Sequence, residues 1–218
     1  MSVRRALFIC LPLFIAAVSG RAAAPVDLGQ GLSYVRVHAF AADEAALTGA
    51  LAANTALVID LRYTTAEKEN GNAFYGALAK HNGAAPLFVL VSPATPAPLA
   101  EALSASSIKF ISLGIKGSLP NAQVVVKQPA DTDRRAYDAL ESGLPLAALL
   151  SGKIEKNRYD EASLMKDFRN GNLDAEPPPG PDPSKKDDDG TLKAPVLTDR
   201  VLQRAVHLHA ALQAIKAR

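Results

Sequence analysis

Apolar residues along the chain gather into short blocks whose length and period predict β-strands. The blocks ALVIDL and PLFVLV are continuously apolar, as strands are when both faces of a parallel sheet are covered. GLSYVRVHAF instead alternates in character, and its β-branched content also favours a strand. Two shorter blocks follow. The five predicted strands lie within residues 31–40, 56–61, 86–91, 108–114 and 122–127.

Segments with helical spacing separate the first four of these strands. The first segment has Asp43 as its predicted N-cap, and the second is predicted to turn Phe74 and Leu78 inward and to end at Gly83. The alternation of strand and helix over residues 31–127 predicts an α/β domain with right-handed crossovers and a largely parallel sheet. The three predicted helices cover residues 42–54, 72–83 and 97–106.

The second half of the chain lacks the alternation of strand and helix patterns seen in the first. Residues 131–143 and 144–154 have helical patterns, whereas the stretch from residue 174 to 190 is rich in proline and acidic residues and has nothing to bury. A last helix, capped by Thr198 or Asp199, is predicted to dock on the domain. Its apolar stripe is Val201, Ala205, Leu208, Leu212 and Ile215. The predicted organisation is a signal peptide (1–22), an α/β domain (27–173), a disordered linker (174–195) and a C-terminal helix (196–218).

The beginning of the chain resembles a secretory signal peptide. Arg4 and Arg5 precede an apolar run, and small residues follow it, so cleavage is expected after Gly20 or Ala22. The run is shorter than the roughly 20 residues of a membrane-spanning helix. We therefore expect a secreted or periplasmic protein without a membrane anchor after cleavage, and the sole cysteine, Cys10, is removed with the signal.

Composition and charge exclude several classes of function. Apolar residues make up 48% of the chain, which is enough for one domain with a hydrophobic core. The net charge is +2 and the basic residues are scattered among acidic ones, so nucleic acid is not an expected partner. The four histidines lack metal-ligand spacing, and no cofactor or metal is expected.

Several stretches, taken in order, resemble the core of the C-terminal processing (tail-specific) serine peptidases. The resemblance covers roughly residues 33–126, together with a closing helix. It implies a ClpP/crotonase-like fold with a repeated β-β-α core and a C-terminal docking helix. The stretches that carry it are YVRVHAF, EAALTGAL, ALVIDLR, PLFVLVSPATPAPLAEAL, FISLGIKGSLPNAQVVV and TDRVLQRAVHLHAAL.

The resemblance also implies that three catalytic parts are missing. The family has a glycine pair after its Asp-Leu-Arg strand end, where backbone N–H groups help to form the oxyanion hole, but residues 63–66 here are Tyr-Thr-Thr-Ala. With Thr95 matched to the family's threonine, the serine nucleophile falls on Ala97. The general-base lysine falls at or near Pro120.

A displaced serine–lysine dyad remains as an alternative. Ser92 follows the strand PLFVLV, and Lys116 lies in a GIKG turn after the next strand. Such a lysine has to be desolvated so that its pKa falls far enough for it to accept the serine proton. Both residues also have structural interpretations, because Ser92 precedes Pro93 in a turn and Lys116 lies between two glycines.

Asp60 and Arg62 end the strand ALVIDL and, with Thr95, are the candidate binding residues. A strand places both side chains on the face opposite Leu61, where they are expected to pair with each other or with backbone groups. We favour a structural role for this pair over a catalytic one. The C-terminal edge of an open α/β sheet is nevertheless where ligands bind.

Three functional hypotheses follow. The first is a non-catalytic exported protein that binds or assembles with protein or peptide partners, including copies of itself. The second is an active serine peptidase that cuts unstructured C-terminal segments with the displaced dyad. The third rests on a resemblance of ALVIDLRYTT and the PLFVLV region to a rhodanese domain, which would be inactive because Ser92 stands about where the rhodanese cysteine belongs.

Overall fold

The computed structural model describes residues 24–151 and 197–217, and this part of the chain contains six strands and six helices. The strands are β1 (Val26–Asp27), β2 (Leu32–Arg36), β3 (Ala56–Asp60), β4 (Leu87–Val91), β5 (Ile111–Gly114) and β6 (Val124–Val125). The helices are α1 (Phe40–Ala52), α2 (Asn70–Leu78), α3 (Ala97–Ala105), α4 (Ala130–Glu141), α5 (Leu146–Leu150) and α6 (Arg200–Lys216).

The strands form one mixed sheet in the order β1-β2-β3-β4-β5-β6. β1 is antiparallel to β2, and all the other neighbouring pairs are parallel. The register places Val58 of β3 between Tyr34 of β2 and Phe88 of β4. The prediction of an α/β domain with a largely parallel sheet is confirmed. The sequence pattern does not predict β1, because two exposed residues carry no apolar period.

Helices α1, α2 and α3 share one core with a single face of the sheet. Strand order follows chain order, and under that condition crossovers of one hand place every connecting helix on the same side. The central strands supply Leu57, Ile59, Leu61, Leu87, Val89 and Val91 to this core, and the helices supply Phe40, Leu47, Leu51, Phe74, Leu78, Leu99 and Leu103. The opposite face of the sheet is left for later elements to cover.

Helix α6 covers that opposite face, as the sequence predicts. Val201, Leu202 and Ala205 are fully buried against the sheet. The strand residues that they join include Leu32, Tyr34, Val58, Phe88, Leu90 and Leu113, with α4 and α5 packed at the margin. Ile215, predicted to face inward, is 70% exposed. A 17-residue helix is about 25 Å long, whereas strands of four or five residues reach only about 17 Å, so the last turn extends past the core.

The start of α1 differs from its prediction. The helix begins at Phe40 instead of after Asp43, and Asp43 is a buried residue of its first turn. The Asp43 carboxylate still caps the helix, because its Oδ2 accepts hydrogen bonds from the backbone N–H groups of His38 (2.8 Å) and Ala39 (3.2 Å). The capping chemistry is thus as expected, but the carboxylate reaches back from inside the helix.

The end of α2 also differs. The helix stops at Leu78, and Gly83 lies beyond it in a left-handed conformation (φ 75°). Turn hydrogen bonds from Lys80 and His81 back to Ala77 and Leu78 carry the chain from the helix toward that glycine. Phe74 and Leu78 are buried as predicted.

Two predicted segments, the signal peptide at 1–22 and the linker at 174–195, lie outside the described residues, as does the end of the domain predicted to reach residue 173. The helix predicted over residues 144–154 is observed as α5 (Leu146–Leu150), and the described part of this segment stops at residue 151. Among the described helices, none combines the length and apolar character that crossing a membrane requires.

Candidate functional site

The C-terminal ends of β3 and β4 bring together four of the residues singled out in the sequence. Asp60 and Arg62 follow one strand, and Ser92 and Thr95 follow its neighbour. All four side chains are buried. Because β3 and β4 are parallel, their carboxyl ends meet at one edge, which is the usual position of a ligand site in an α/β sheet.

Arg62 lies at the centre of this edge and is completely buried. Its Nε and Nη2 donate to Oδ1 and Oδ2 of Asp60 at 3.0 and 2.7 Å. Its Nη1 and Nη2 donate to Oδ1 and Oδ2 of Asp199 at 3.0 and 2.6 Å, and Nη1 also donates to Asp133 Oδ1 at 2.9 Å. These bonds use all five N–H donors of the guanidinium, so none is left for a ligand.

The three carboxylates of this Arg62 cluster (Asp60, Arg62, Asp133 and Asp199) come from three separate elements. Asp60 ends β3, Asp133 lies in the first turn of α4, and Asp199 is the N-cap of α6, where its Oδ1 accepts from the N–H of Leu202 at 2.9 Å. All three are fully buried. One guanidinium therefore fastens α4 and α6 to the end of the central strand.

Two tyrosines complete the hydrogen bonding of the cluster. Tyr34 donates to Asp60 Oδ2 at 2.9 Å, and Tyr63 donates to Asp133 Oδ2 at 2.8 Å. Burial and the neighbouring carboxylates raise the pKa of both phenols, because an ionised phenol would add a further negative charge. Both tyrosines consequently act as neutral hydrogen-bond donors.

The carboxylates of Asp60 and Asp133 differ in their electrostatics. Burial opposes the charged form of Asp60, but the Arg62 charge and hydrogen bonds outweigh it and lower the pKa of that carboxyl. For Asp133 the desolvation dominates, and the pKa is raised despite the contact with Arg62. Burial also opposes the charge on Arg62, yet the surrounding aspartates raise its pKa well above the ordinary value.

A layer of stacked cations and rings covers the cluster. The Arg36 guanidinium carbon lies 3.5 Å from the ring centroid of Tyr137, and the Tyr63 and Tyr137 rings meet edge to face at 4.8 Å. Arg134 lies over the outer side of Tyr63 at 4.6 Å. Arg36 also donates to Glu141 Oε1 at 3.2 Å. Such stacking is favourable for desolvated cations and shields the buried charges from water.

Ser92 and Thr95 bond to backbone groups at the strand ends. The Ser92 hydroxyl donates to the carbonyl of Arg62 and accepts from the N–H of Ala94. Thr95 Oγ1 accepts from the Ser92 N–H at 2.9 Å and contacts the Leu61 carbonyl at 3.3 Å. These bonds tie the loop after β4 to the end of β3, as polar turn residues commonly do.

Lys116 is not brought into this group. It is exposed in the turn after β5, and no hydrogen bond joins it to Ser92. The turn is held instead by Ser118, whose hydroxyl lies 3.1 Å from the Val91 carbonyl and 2.8 Å from the Ile115 carbonyl. The approach is so close that a Cβ on Gly114 would lie 2.4 Å from the Val91 carbonyl oxygen, so only glycine fits there.

The positions matched to the peptidase catalytic residues lie at a helix start and in turns of the fold. Ala97 is the first residue of α3, and Pro120 follows a cis peptide bond with Leu119. In residues 63–66, the N–H of Thr65 donates to the His38 carbonyl at 2.7 Å, and the hydroxyl of Thr64 donates to the Val37 carbonyl. These groups already bond within the protein.

Sequence reasoning found the Asp60–Arg62 pair but missed the other two carboxylates. Asp133 lies 71 residues from Arg62 in a segment with several other acidic residues, and Asp199 lies 137 residues from it. The N-cap prediction at Thr198 or Asp199 was the one signal that pointed to either of them. In the part of the chain that the structure describes, no group of His, Cys, Asp and Glu side chains is arranged to hold a metal ion.

Comparison of the chain with protein-family models, with curated proteins and with solved structures finds no match.

Proposed function

We propose that the protein is a non-catalytic, exported member of the tail-specific peptidase fold that acts as a binding or assembly module for protein or peptide partners. The observation that carries this proposal is the Arg62 cluster. It occupies the carboxyl end of the sheet, the usual position of a ligand site in this class of fold, and all five donors of the guanidinium bond to protein carboxylates.

The topology supports the ClpP/crotonase-like part of this proposal. Strands β2 to β6 follow one another in sequence and in space, and the connecting helices α1 to α3 lie on one side. Beyond the ends of β2 and β3, Ala39 and Thr65 form a second parallel bridge, with the N–H of Phe40 donating to the Thr65 carbonyl at 2.9 Å. This isolated bridge lies before the helix, where a repeated β-β-α unit has its second strand.

The surroundings of the candidate dyad support the absence of catalysis. A serine nucleophile needs its hydroxyl proton within reach of a base, but the Ser92 proton is directed to the Arg62 carbonyl. A lysine base needs desolvation, but Lys116 is exposed. Rhodanese sulfur transfer is not supported either, because the only cysteine in the sequence is Cys10.

The test is labelling of the purified mature protein with a fluorophosphonate probe, which reacts with activated serines. We expect no labelling of the folded wild type and none of the variants S92A and K116A. An active tail-specific peptidase in the same experiment serves as the positive control, and circular dichroism confirms folding of each sample. Labelling of the wild type that disappears in both variants would establish the displaced dyad and an active peptidase instead.

A binding or assembly role is tested separately from catalysis. Size-exclusion chromatography with light scattering measures whether the mature protein forms a homo-oligomer, and a panel of unstructured peptides tested by calorimetry measures peptide binding. We expect at least one of these associations to be present. A strictly monomeric protein that binds none of the peptides would contradict this part of the proposal.

A further inference from the structure

The Arg62 cluster contains more buried negative charge than its guanidinium balances. Three fully buried carboxylates surround one guanidinium, so the cluster would carry a net charge of −2 if all three were ionised. Burying uncompensated charge is expensive, and a carboxyl group commonly binds a proton to avoid it. The geometry shows which of the three is best suited to do so.

Asp60 and Asp199 bond to the guanidinium through both of their carboxylate oxygens. Asp60 accepts hydrogen bonds from Nε, Nη2 and the backbone N–H of Arg62 and from the Tyr34 hydroxyl. Asp199 accepts from both Nη atoms of Arg62 and from the backbone N–H of Leu202. The bonds to Asp60 favour its charged state and lower its pKa.

Asp133 is held differently. Only its Oδ1 bonds to Arg62, whereas its Oδ2 accepts from the Tyr63 hydroxyl. A phenol oxygen can accept as well as donate, and Tyr63 is partly exposed, so it could turn its own proton toward water. Asp133 Oδ2 can therefore take up a proton and donate it to Tyr63 without breaking the bond to Arg62.

We propose that Asp133 is a proton-binding residue that makes the attachment of α4 to the sheet pH-dependent, so that the attachment is tighter when Asp133 is neutral. Neutral Asp133 keeps both its hydrogen-bonding partners, Arg62 and Tyr63, and leaves Asp60 and Asp199 as the two carboxylates that share the guanidinium. Ionised Asp133 restores the third negative charge and weakens the attachment.

The charged groups around Asp133 support this assignment. From the residues after β3, Arg62 and Tyr63 face Asp133, and Asp199 faces it from the start of α6. Arg36 from β2 and Arg134 and Tyr137 from α4 form the covering layer. Desolvation is the largest effect and raises the pKa of Asp133, with Asp199 adding to the rise and Arg62 and Tyr63 opposing it.

The direction of the pH effect follows from linkage. A carboxyl whose pKa is raised above 3.8 on folding binds its proton more tightly in the folded state. Its contribution to stability is fully present below the unfolded value and is lost as the pH rises through the folded pKa. This is opposite to Asp60, whose lowered pKa contributes stability that is lost as the pH falls.

The test compares the full mature protein with D133N, which imitates the neutral acid, between about pH 4 and about pH 8. We expect equal melting temperatures at the acid end and a melting temperature about 2–4 °C higher for D133N at the alkaline end. Subtracting the melting temperature of the wild type from that of D133N at each pH removes the effect of the other titrating groups. D131N is the matched control, since Asp131 lies in the same helical turn but is exposed, and its profile should parallel the wild type.

A destabilisation of D133N that is constant or grows with pH would overturn the proposal, because the ionised carboxylate would then be the stabilising form. If D133N does not fold, NMR of the Asp133 carboxyl carbon in the wild type decides the question. We expect a titration above pH 3.8. A titration below that value would refute the assignment.

Discussion

At the residue scale, Arg62 is the position on which the most contacts of the sheet edge depend. Its five hydrogen bonds reach three aspartates that no other basic side chain in the described residues pairs with in a salt bridge. Its backbone carbonyl additionally accepts from Ser92. A buried cation with this many partners is a structural centre of the sheet edge.

The substitution R62M tests this role. Methionine fills similar space without charge, so it leaves Asp60, Asp133 and Asp199 buried with no cation between them. We expect the free energy of unfolding at neutral pH to fall by about 3–5 kcal/mol, as measured by urea denaturation. The loss should shrink as the pH falls, because the aspartates can then be protonated.

The control for R62M is R135A. Arg135 is 67% exposed and lies 3.9 Å from Asp131 across one helical turn, so its removal should change the free energy of unfolding by less than about 1 kcal/mol. Equal losses in the two variants would show that the buried position of Arg62 does not matter and that the cluster is not a structural centre.

At the element scale, the sequence predicts the strands and helices of the first half well because each has its own short pattern. The continuous blocks that became β3 and β4 are buried on both faces, so their apolar character does not depend on orientation. The start of α1 is harder to predict, because Asp43 can cap the helix from inside it. Pairings such as Arg62 with Asp199 join segments that are far apart in the sequence, so no local sequence pattern predicts them.

Helix α6 provides a test in which the sequence pattern and the structure disagree. Both Leu202 and Ile215 are apolar, but Leu202 is fully buried against the sheet whereas Ile215 is exposed. We expect L202A to lower the free energy of unfolding by about 2–5 kcal/mol and I215A to change it by less than about 0.5 kcal/mol, as measured by urea denaturation. Comparable losses would mean that the last turn of α6 packs inward after all.

At the scale of the whole molecule, the order of the strands makes the two ends of the chain depend on one another. Since α1, α2 and α3 occupy one face, the other face of β2, β3 and β4 is closed mainly by α6, at the far end of the sequence. The Arg62 cluster fastens the start of α6 at the same edge. We infer that the sheet and α6 form one cooperative unit.

Removal of residues 197–218 tests this dependence. The apolar face that includes Tyr34, Val58 and Phe88 would then be exposed to water, and Arg62 would lose two of its five hydrogen bonds. We expect the truncated chain to lose its near-ultraviolet circular dichroism and to bind the dye ANS, as loosely packed states do. A synthetic peptide of residues 197–217 added in trans should restore the spectrum, while the same peptide carrying D199A and L202A should not. A large apolar face is rarely stable in water without a covering surface, so cooperative unfolding of the truncated chain alone would contradict the inference that the sheet and α6 form one unit.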